Sequence, residues 1–331
     1  MNKSSDFLIN QFRKLGGKLE NIRIEKCEFG RGIFSKNHNL KSRIFVPRNL
    51  MININDIYLF KNKLLIKKNN QTYDQELVDF YNLYLDKLCC DEEIWQDLDS
   101  FEKDLIAFNS TIRTLLKNFL LIDIDKRHKR LWNDVLLKSF IDTRKFKFCD
   151  SSMICPFLDL INHKTDSLSC LASKDGIYSP NYPPFSNELT INYKTQGSIK
   201  RLFQYKFLNL EPNVFSFPFS FKIEDSGILF LCNGCEPNRN CLSIKKDANK
   251  VIIDGLQIAF NNNQNYLFEQ FHKISEAVEV NIPNSLIERI IKYNISMRQI
   301  IKKEVNFIKN KTSKQISIIL QHEINFIKYQ I

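Results

Sequence analysis

Three short segments concentrate the side chains that could do chemistry. Asp159-Leu160-Ile161-Asn162-His163 puts a carboxylate, an amide and an imidazole at the end of an apolar stretch formed by Ile154, Pro156, Phe157 and Leu158. Such a cluster can hold the polar end of a ligand, although a single histidine in this setting is more often a satisfied core residue than a base. Phe29-Gly30-Arg31-Gly32-Ile33-Phe34 carries two glycines, which let backbone approach a ligand closely and equally suit a plain hairpin turn. Glu188-Leu189-Thr190-Ile191-Asn192-Tyr193 alternates like a strand and ends in a tyrosine, followed by Arg201-Leu202-Phe203 and Tyr205-Lys206-Phe207.

Other chemistries find less support. Gly30-Arg31-Gly32 is not followed by the third glycine of a dinucleotide fingerprint, and GKS, GKT, HExxH and GxSxG are absent. Cys232-x2-Cys235-x5-Cys241 offers three thiols, but a tetrahedral structural zinc takes four ligands, and no Cys or His follows within thirty residues of Cys241. Buried or surface thiols are the simpler reading, and no metal is expected.

The elements that must position these residues follow from the spacing. From Asn21 to Ile57 apolar pairs alternate with turn residues, and Arg43-Ile44-Phe45-Val46 before Pro47 reads as a short strand. From Asp74 to Arg144 the spacing becomes helical, with Leu77, Phe80, Tyr81, Tyr84, Leu85 and Leu88 on one face and Asp99 or Ser100 as an N-cap. Strand texture returns from Met153 to Phe207, and after about Asp225 the chain reads as mainly helical, with Ser285 and Glu288 as a capping box.

At 331 residues the chain is long enough for two ordinary cores. Its formal charge of +11 invites a nucleic-acid reading, but residues 1–60 and 285–331 each carry +6 while the 224 residues between them carry −1. No block of five like charges occurs, so direct nucleic-acid binding is not expected. Nine scattered cysteines, an N-terminus without an apolar leader and no long apolar run predict reduced thiols, no membrane span and a cytoplasmic or nuclear location.

The order of the segments resembles a known family. GRGIFS, a long helical insertion, FIDTRKF, CPFLDLINH about 130 residues after GRG, and NELTINY with KRLFQYKF are similar to the split SET domain of the Rubisco large-subunit methyltransferase class. The resemblance covers residues 20–210 motif by motif and implies an α+β fold. In it a β-rich SET domain over 1–210, split by a helical insertion at about 62–135, precedes an all-α substrate-binding domain over 211–331. It further implies a class V, S-adenosylmethionine-dependent protein-lysine methyltransferase, acting as a monomer on a histone or non-histone protein.

Carried over by position, Phe29, Gly30 and Arg31 would line the donor with backbone, and Arg144 would face its methionine carboxylate. Asn162 and His163 would hold the adenine, with Asp159 at the start of the same turn, while Tyr205 and Phe207 would close over the adenosyl group. Tyr193 matches the active-site tyrosine. With an ordinary pKa near about 10 it is an orienting hydrogen-bond partner rather than a strong base. Lys194 and Lys206 stand where the class carries glycine, and at positive φ each would cost about 1–2 kcal/mol. Two alternatives stay open at this level, a catalytically inactive peptide-binding module and a protein-histidine methyltransferase.

Overall fold

In the computed structural model, which describes residues 3–27, 30–60, 63–67, 73–89, 92–193, 196–223, 227–234, 242–261 and 263–329, the fold class is α+β, as the sequence predicts. Packing divides the chain into two units, Met1–Ser100 with Arg130–Lys194, and Phe101–Lys129 with Thr195–Ile331.

In the first unit, short strands form several small sheets. Lys18–Glu20, Arg43–Pro47, Gly176–Tyr178 and Leu171–Ser173 make a four-stranded antiparallel sheet, and Ile22–Cys27 pairs with Gly30–Ser35 as a hairpin. The expected strand ahead of Pro47 is there, with Ile44 and Val46 fully buried. The predicted helical face is present as well. Gln75–Tyr84 buries Leu77, Phe80, Tyr81 and Tyr84, and its continuation through Leu85–Cys89 buries Leu85 and Leu88. The Tyr81 hydroxyl lies 2.8 and 2.9 Å from the carbonyls of Leu50 and Ile154, fastening this helix to backbone that precedes and follows it in sequence.

The expected caps are corrected. Asp99 and Ser100 lie inside the Glu92–Ile106 helix, whereas Asn109 and Asp123 cap their own helices by accepting from the Ile112 and Lys126 amides, each at 2.9 Å. Ser285 falls inside the Asn284–Asn306 helix, whose N-cap is Pro283 at φ −70°. The fixed φ of proline suits the residue that opens a helix, and the start lies two residues earlier than a Ser285 cap would set it.

The larger correction concerns residues after 210, which are not all-α. Asn213–Phe215, Phe219–Lys222, Leu229–Cys232, Ser243–Asp247, Lys250–Asp254 and Gln257–Phe260 are strands. Four of them form a sheet ordered 219–222, 229–232, 250–254, 243–247. These segments are three to five residues long and are separated by turn residues such as Gly227 and Gly255, which suits strands better than helices of ten or more. Three helices follow, Tyr266–Val278, Asn284–Asn306 and Lys311–Tyr329. The last two are joined by a buried ion pair, Arg298 to Glu323 at 2.7 Å, and burial lowers the Arg298 pKa from its ordinary value. The guanidinium also donates to the Phe215 carbonyl at 2.7 Å and lies over the Phe217 ring, so this charge is satisfied where it is buried.

Lys206 follows the Ser198–Tyr205 helix in the left-handed conformation, φ 66°, which favours glycine. Its ammonium turns back to donate to the Phe203 carbonyl and lies 3.5 Å from Glu102, with the two side chains 6% and 0% exposed. Lys206→Gly therefore relieves about 1–2 kcal/mol of backbone strain but strips Glu102 of a buried countercharge worth about 3–5 kcal/mol. The variant is expected to lose about 2 kcal/mol in denaturant unfolding, and adding Glu102→Gln should restore most of it. A single variant as stable as wild type would show that the pair does not hold this turn.

Candidate functional site

The three motif segments, far apart in sequence, meet in the first unit. The Gly30–Ser35 strand receives the 187–189 segment along its edge, with the Leu189 amide donating to the Ile33 carbonyl and the Ser35 amide to the Asn187 carbonyl, each at 2.8 Å. Asn162–His163 runs parallel to Thr190–Ile191, with Asn162 opposite Thr190 and His163 opposite Ile191. The stretch ending in Tyr193 thus touches both other motifs in turn.

Gly32 lies where they converge. The Asn162 amide nitrogen donates to Glu188 at 2.6 Å and to the Cys27 thiol at 3.2 Å. A Cβ on Gly32 would stand 2.9 Å from that nitrogen, 3.2 Å from the Glu188 oxygen and 3.1 Å from the Phe34 ring. A side chain here would force these neighbours to give way. At Gly30 glycine is required by conformation, because φ is +101° and nothing lies within 4 Å of where its Cβ would point.

The Leu158–Leu160 turn organises the charged part of the site. Asp159 has a fully enclosed carboxylate that accepts the Tyr84 hydroxyl proton, and the Cys89 thiol lies 3.7 Å from its other oxygen. Arg144, the last residue of the Trp132–Arg144 helix, brings Nη1 to 3.4 Å from the Asp159 carbonyl and 3.5 Å from its carboxylate, and its guanidinium carbon is 5.0 Å from the Phe140 ring centre. Burial raises the Asp159 pKa from the ordinary carboxylate value, while Arg144 and the Tyr84 hydrogen bond pull it down.

Tyr193 is tied to the same turn from the other side. Its hydroxyl donates to the Ile161 carbonyl at 2.6 Å, its amide donates to His163 Nδ1 at 3.2 Å, and the two rings lie 5.2 Å apart. The Asn192 side chain donates to the Thr165 carbonyl at 2.8 Å, lacing the 164–168 loop to this strand end. Tyr182 donates to the Thr190 carbonyl at 3.0 Å, and burial pushes its phenol up, so it stays protonated.

Of the residues singled out from sequence, Gly30, Arg31, Arg144, Asp159, Asn162, His163 and Tyr193 belong to this unit. Arg31 sends its side chain to the Lys87 carbonyl. Tyr205 and Phe207 belong to the second unit, where their rings are 6.1 Å apart. Phe29, Lys194, Cys235 and Cys241 lie outside the described residues; Cys232 is a buried strand residue. Among the described residues no group of three or more metal-ligating side chains comes together, and no helix is long and apolar enough to cross a membrane. Glu188, Cys27 and Tyr84 are the site residues that sequence spacing did not single out for a role. Glu188 opens the alternating motif and was visible as a strand end, but its link to Asn162 is a tertiary contact.

No family model matches the sequence, and no curated protein matches it either. Among solved structures the chain is similar to Rubisco LSMT bound to AdoMet, at 13% identity and a TM-score of 0.48, covering 100% of this chain and 91% of that one. A second is Rubisco LSMT bound to sinefungin and monomethyllysine, at 13% identity and 0.48, covering 99% and 90%. A third is the SET domain of LSMT bound to MeLysine and AdoHcy, at 14% identity and 0.46, covering 100% and 91%.

The crowding at Gly32 gives a direct test. Gly32→Ala must push the Asn162 amide off Glu188, and overpacking of this kind costs about 1–3 kcal/mol. The variant should show that loss in thermal or denaturant unfolding, together with weaker binding of any ligand held by Asn162. A variant as stable as wild type would mean that the three segments do not pack as described.

Proposed function

We infer that this chain is an S-adenosylmethionine-dependent protein-lysine N-methyltransferase of the SET type. The observation that carries the reading is the meeting of three motif segments at Gly32, Asn162 and Glu188, with Arg144 and Tyr193 fastened to the turn between them. Within the Rubisco large-subunit methyltransferase class we propose a likeness to SET domain-containing protein 4, which rests on the ordered motifs alone.

The residues fit the donor. Gly30 leaves open space on one side of the hairpin, Arg144 offers an always-charged planar fork suited to a carboxylate, and Asn162 with His163 offers amide and backbone groups for a purine edge. When bound, the sulfonium donor supplies an electrophilic methyl group, and no metal is needed for its transfer. What remains for the protein is positioning, because the attacking nitrogen must lie in line with the leaving sulfur. A lysine amine, with an ordinary pKa of about 10.4, attacks only once neutral, and an apolar channel favours that form. Tyr193 has committed its proton to the Ile161 carbonyl, so its oxygen serves the incoming amine as an acceptor that orients it.

By role, residues 1–210 would form the split SET domain, with the insertion at about 62–135, and 211–331 the part that meets a histone or non-histone substrate. That division differs from the division by packing at Lys194 and Thr195. A cytoplasmic or nuclear location suits the cysteine usage. The alternative of an inactive module rests on cations in glycine positions. Lys206 is paired with Glu102, which weakens that motive.

The test is transfer of labelled methyl from S-adenosylmethionine into candidate proteins, with target residues mapped by mass spectrometry. Tyr193→Phe should lower transfer about 10–100-fold, the scale of a misoriented nucleophile, while donor binding measured by calorimetry is retained. Equal transfer by variant and wild type would remove Tyr193 from the reaction centre. Donor binding without transfer to any protein would favour the binding module, and label on histidine the third reading.

A further inference from the structure

We propose that Tyr84, on the helical insertion, is a positioning residue that fixes Arg144 for the donor carboxylate by acting through Asp159. The inference rests on the donor reading above and deepens it, since it gives the insertion a part in recognising the methyl donor.

The contacts order themselves by strength. Arg144 faces the Asp159 carboxylate through one nitrogen at 3.5 Å, at the outer limit of a hydrogen bond and without the two-pronged geometry that makes guanidinium–carboxylate pairs strong. Arg144 is therefore not the group that fixes Asp159. Tyr84 does so with a short hydroxyl bond to the opposite carboxylate oxygen. The same hydroxyl accepts the Phe157 amide proton at 2.8 Å, and Phe157 is the residue that enters the Asp159 turn, at φ 67°. One phenol oxygen thereby holds both the entry of the turn, in a backbone conformation costly for a bulky residue, and the carboxylate that the turn presents.

Tyr84 itself cannot drift. It is wholly buried, with Phe80, Tyr81 and Phe157 at ring separations of 5.8, 6.3 and 5.3 Å. From this anchor the chain of contacts runs through Asp159 to Nη1 of Arg144, whose guanidinium plane is set on its other side by Phe140. Burial and the nearby Asp159 charge push the Tyr84 phenol well up, so the shared proton stays on the tyrosine and Asp159 remains the acceptor.

The experiment compares two ligands that differ only at the group Arg144 would read, S-adenosylmethionine and its decarboxylated form. Titrated into full-length wild type and Tyr84→Phe, the first should bind the variant about tenfold or more weakly, the scale of one charge-assisted hydrogen bond, and the second within about twofold of wild type. Asp159→Asn, which keeps the shape and removes the charge, should give the same selective loss and serves if Tyr84→Phe fails to fold. Combining Tyr84→Phe with Arg144→Lys should add nothing further, because both act on one contact. Unchanged affinity for S-adenosylmethionine, or equal losses for both ligands, would overturn the positioning role while leaving the donor reading intact. No binding of S-adenosylmethionine to wild type would overturn the donor reading, and this inference with it.

Discussion

The absence of a side chain at Gly32 is the constraint on which the site depends. With no Cβ there, the Asn162 amide can lie against the hairpin and reach Glu188, and three segments spread over some 160 residues of sequence share one point of contact. Loop closure over such distances is entropically costly, so the contact must be repaid by many neighbouring bonds. The edge pairing of 187–189 along the hairpin, the parallel pair at Asn162 and His163, and the Tyr193 hydroxyl on Ile161 are those bonds. A methyl group added at Gly32 would press on the side chains of Asn162, Glu188 and Phe34, the point where the three segments meet.

Burial of charge follows a consistent pattern. Arg144 with Asp159 in the first unit, and Lys206 with Glu102, Arg201 with Glu211 and Arg298 with Glu323 in the second, are ion pairs with little or no exposure. Taking such groups out of water costs several kcal/mol each, and their attraction repays this only with further hydrogen bonds. Arg298 has them in the Phe215 and Asn294 oxygens. Pairs of this kind add little net stability, and their value lies in fixing one arrangement, which a site built from widely spaced segments requires. The net +11 of the chain comes from its two ends, residues 1–60 and 285–331, and not from these pairs.

Much of the fold was legible wherever periodicity was long. The helix that buries Leu77, Phe80, Tyr81 and Tyr84 showed its face over three turns, and the strand at Arg43–Pro47 its alternation before a proline. Across residues 213–260 the strands are not legible, because runs such as Leu229–Cys232 are too short for either period to declare itself and lie next to long helical patterns. At the site, residue order pointed to Gly30, Asn162, His163 and Tyr193. The partners that make them a site, Glu188 on Asn162 and Tyr84 on Asp159, are contacts across 26 and 75 positions that no local pattern encodes.

Lys206 shows how a residue with a side chain can hold a left-handed turn. A left-handed residue with a Cβ is strained by about 1–2 kcal/mol, and in isolation that would favour reversion to glycine. Here the long side chain curls back over the Phe101 ring, 4.5 Å from its centre, and meets Glu102, whose own carboxylate is inaccessible to water. Once an acid is buried at that place, glycine is no longer the lower-energy choice, because it would leave the carboxylate without its cation. The two residues are thus coupled, and the left-handed lysine is explained by a partner more than a hundred positions upstream.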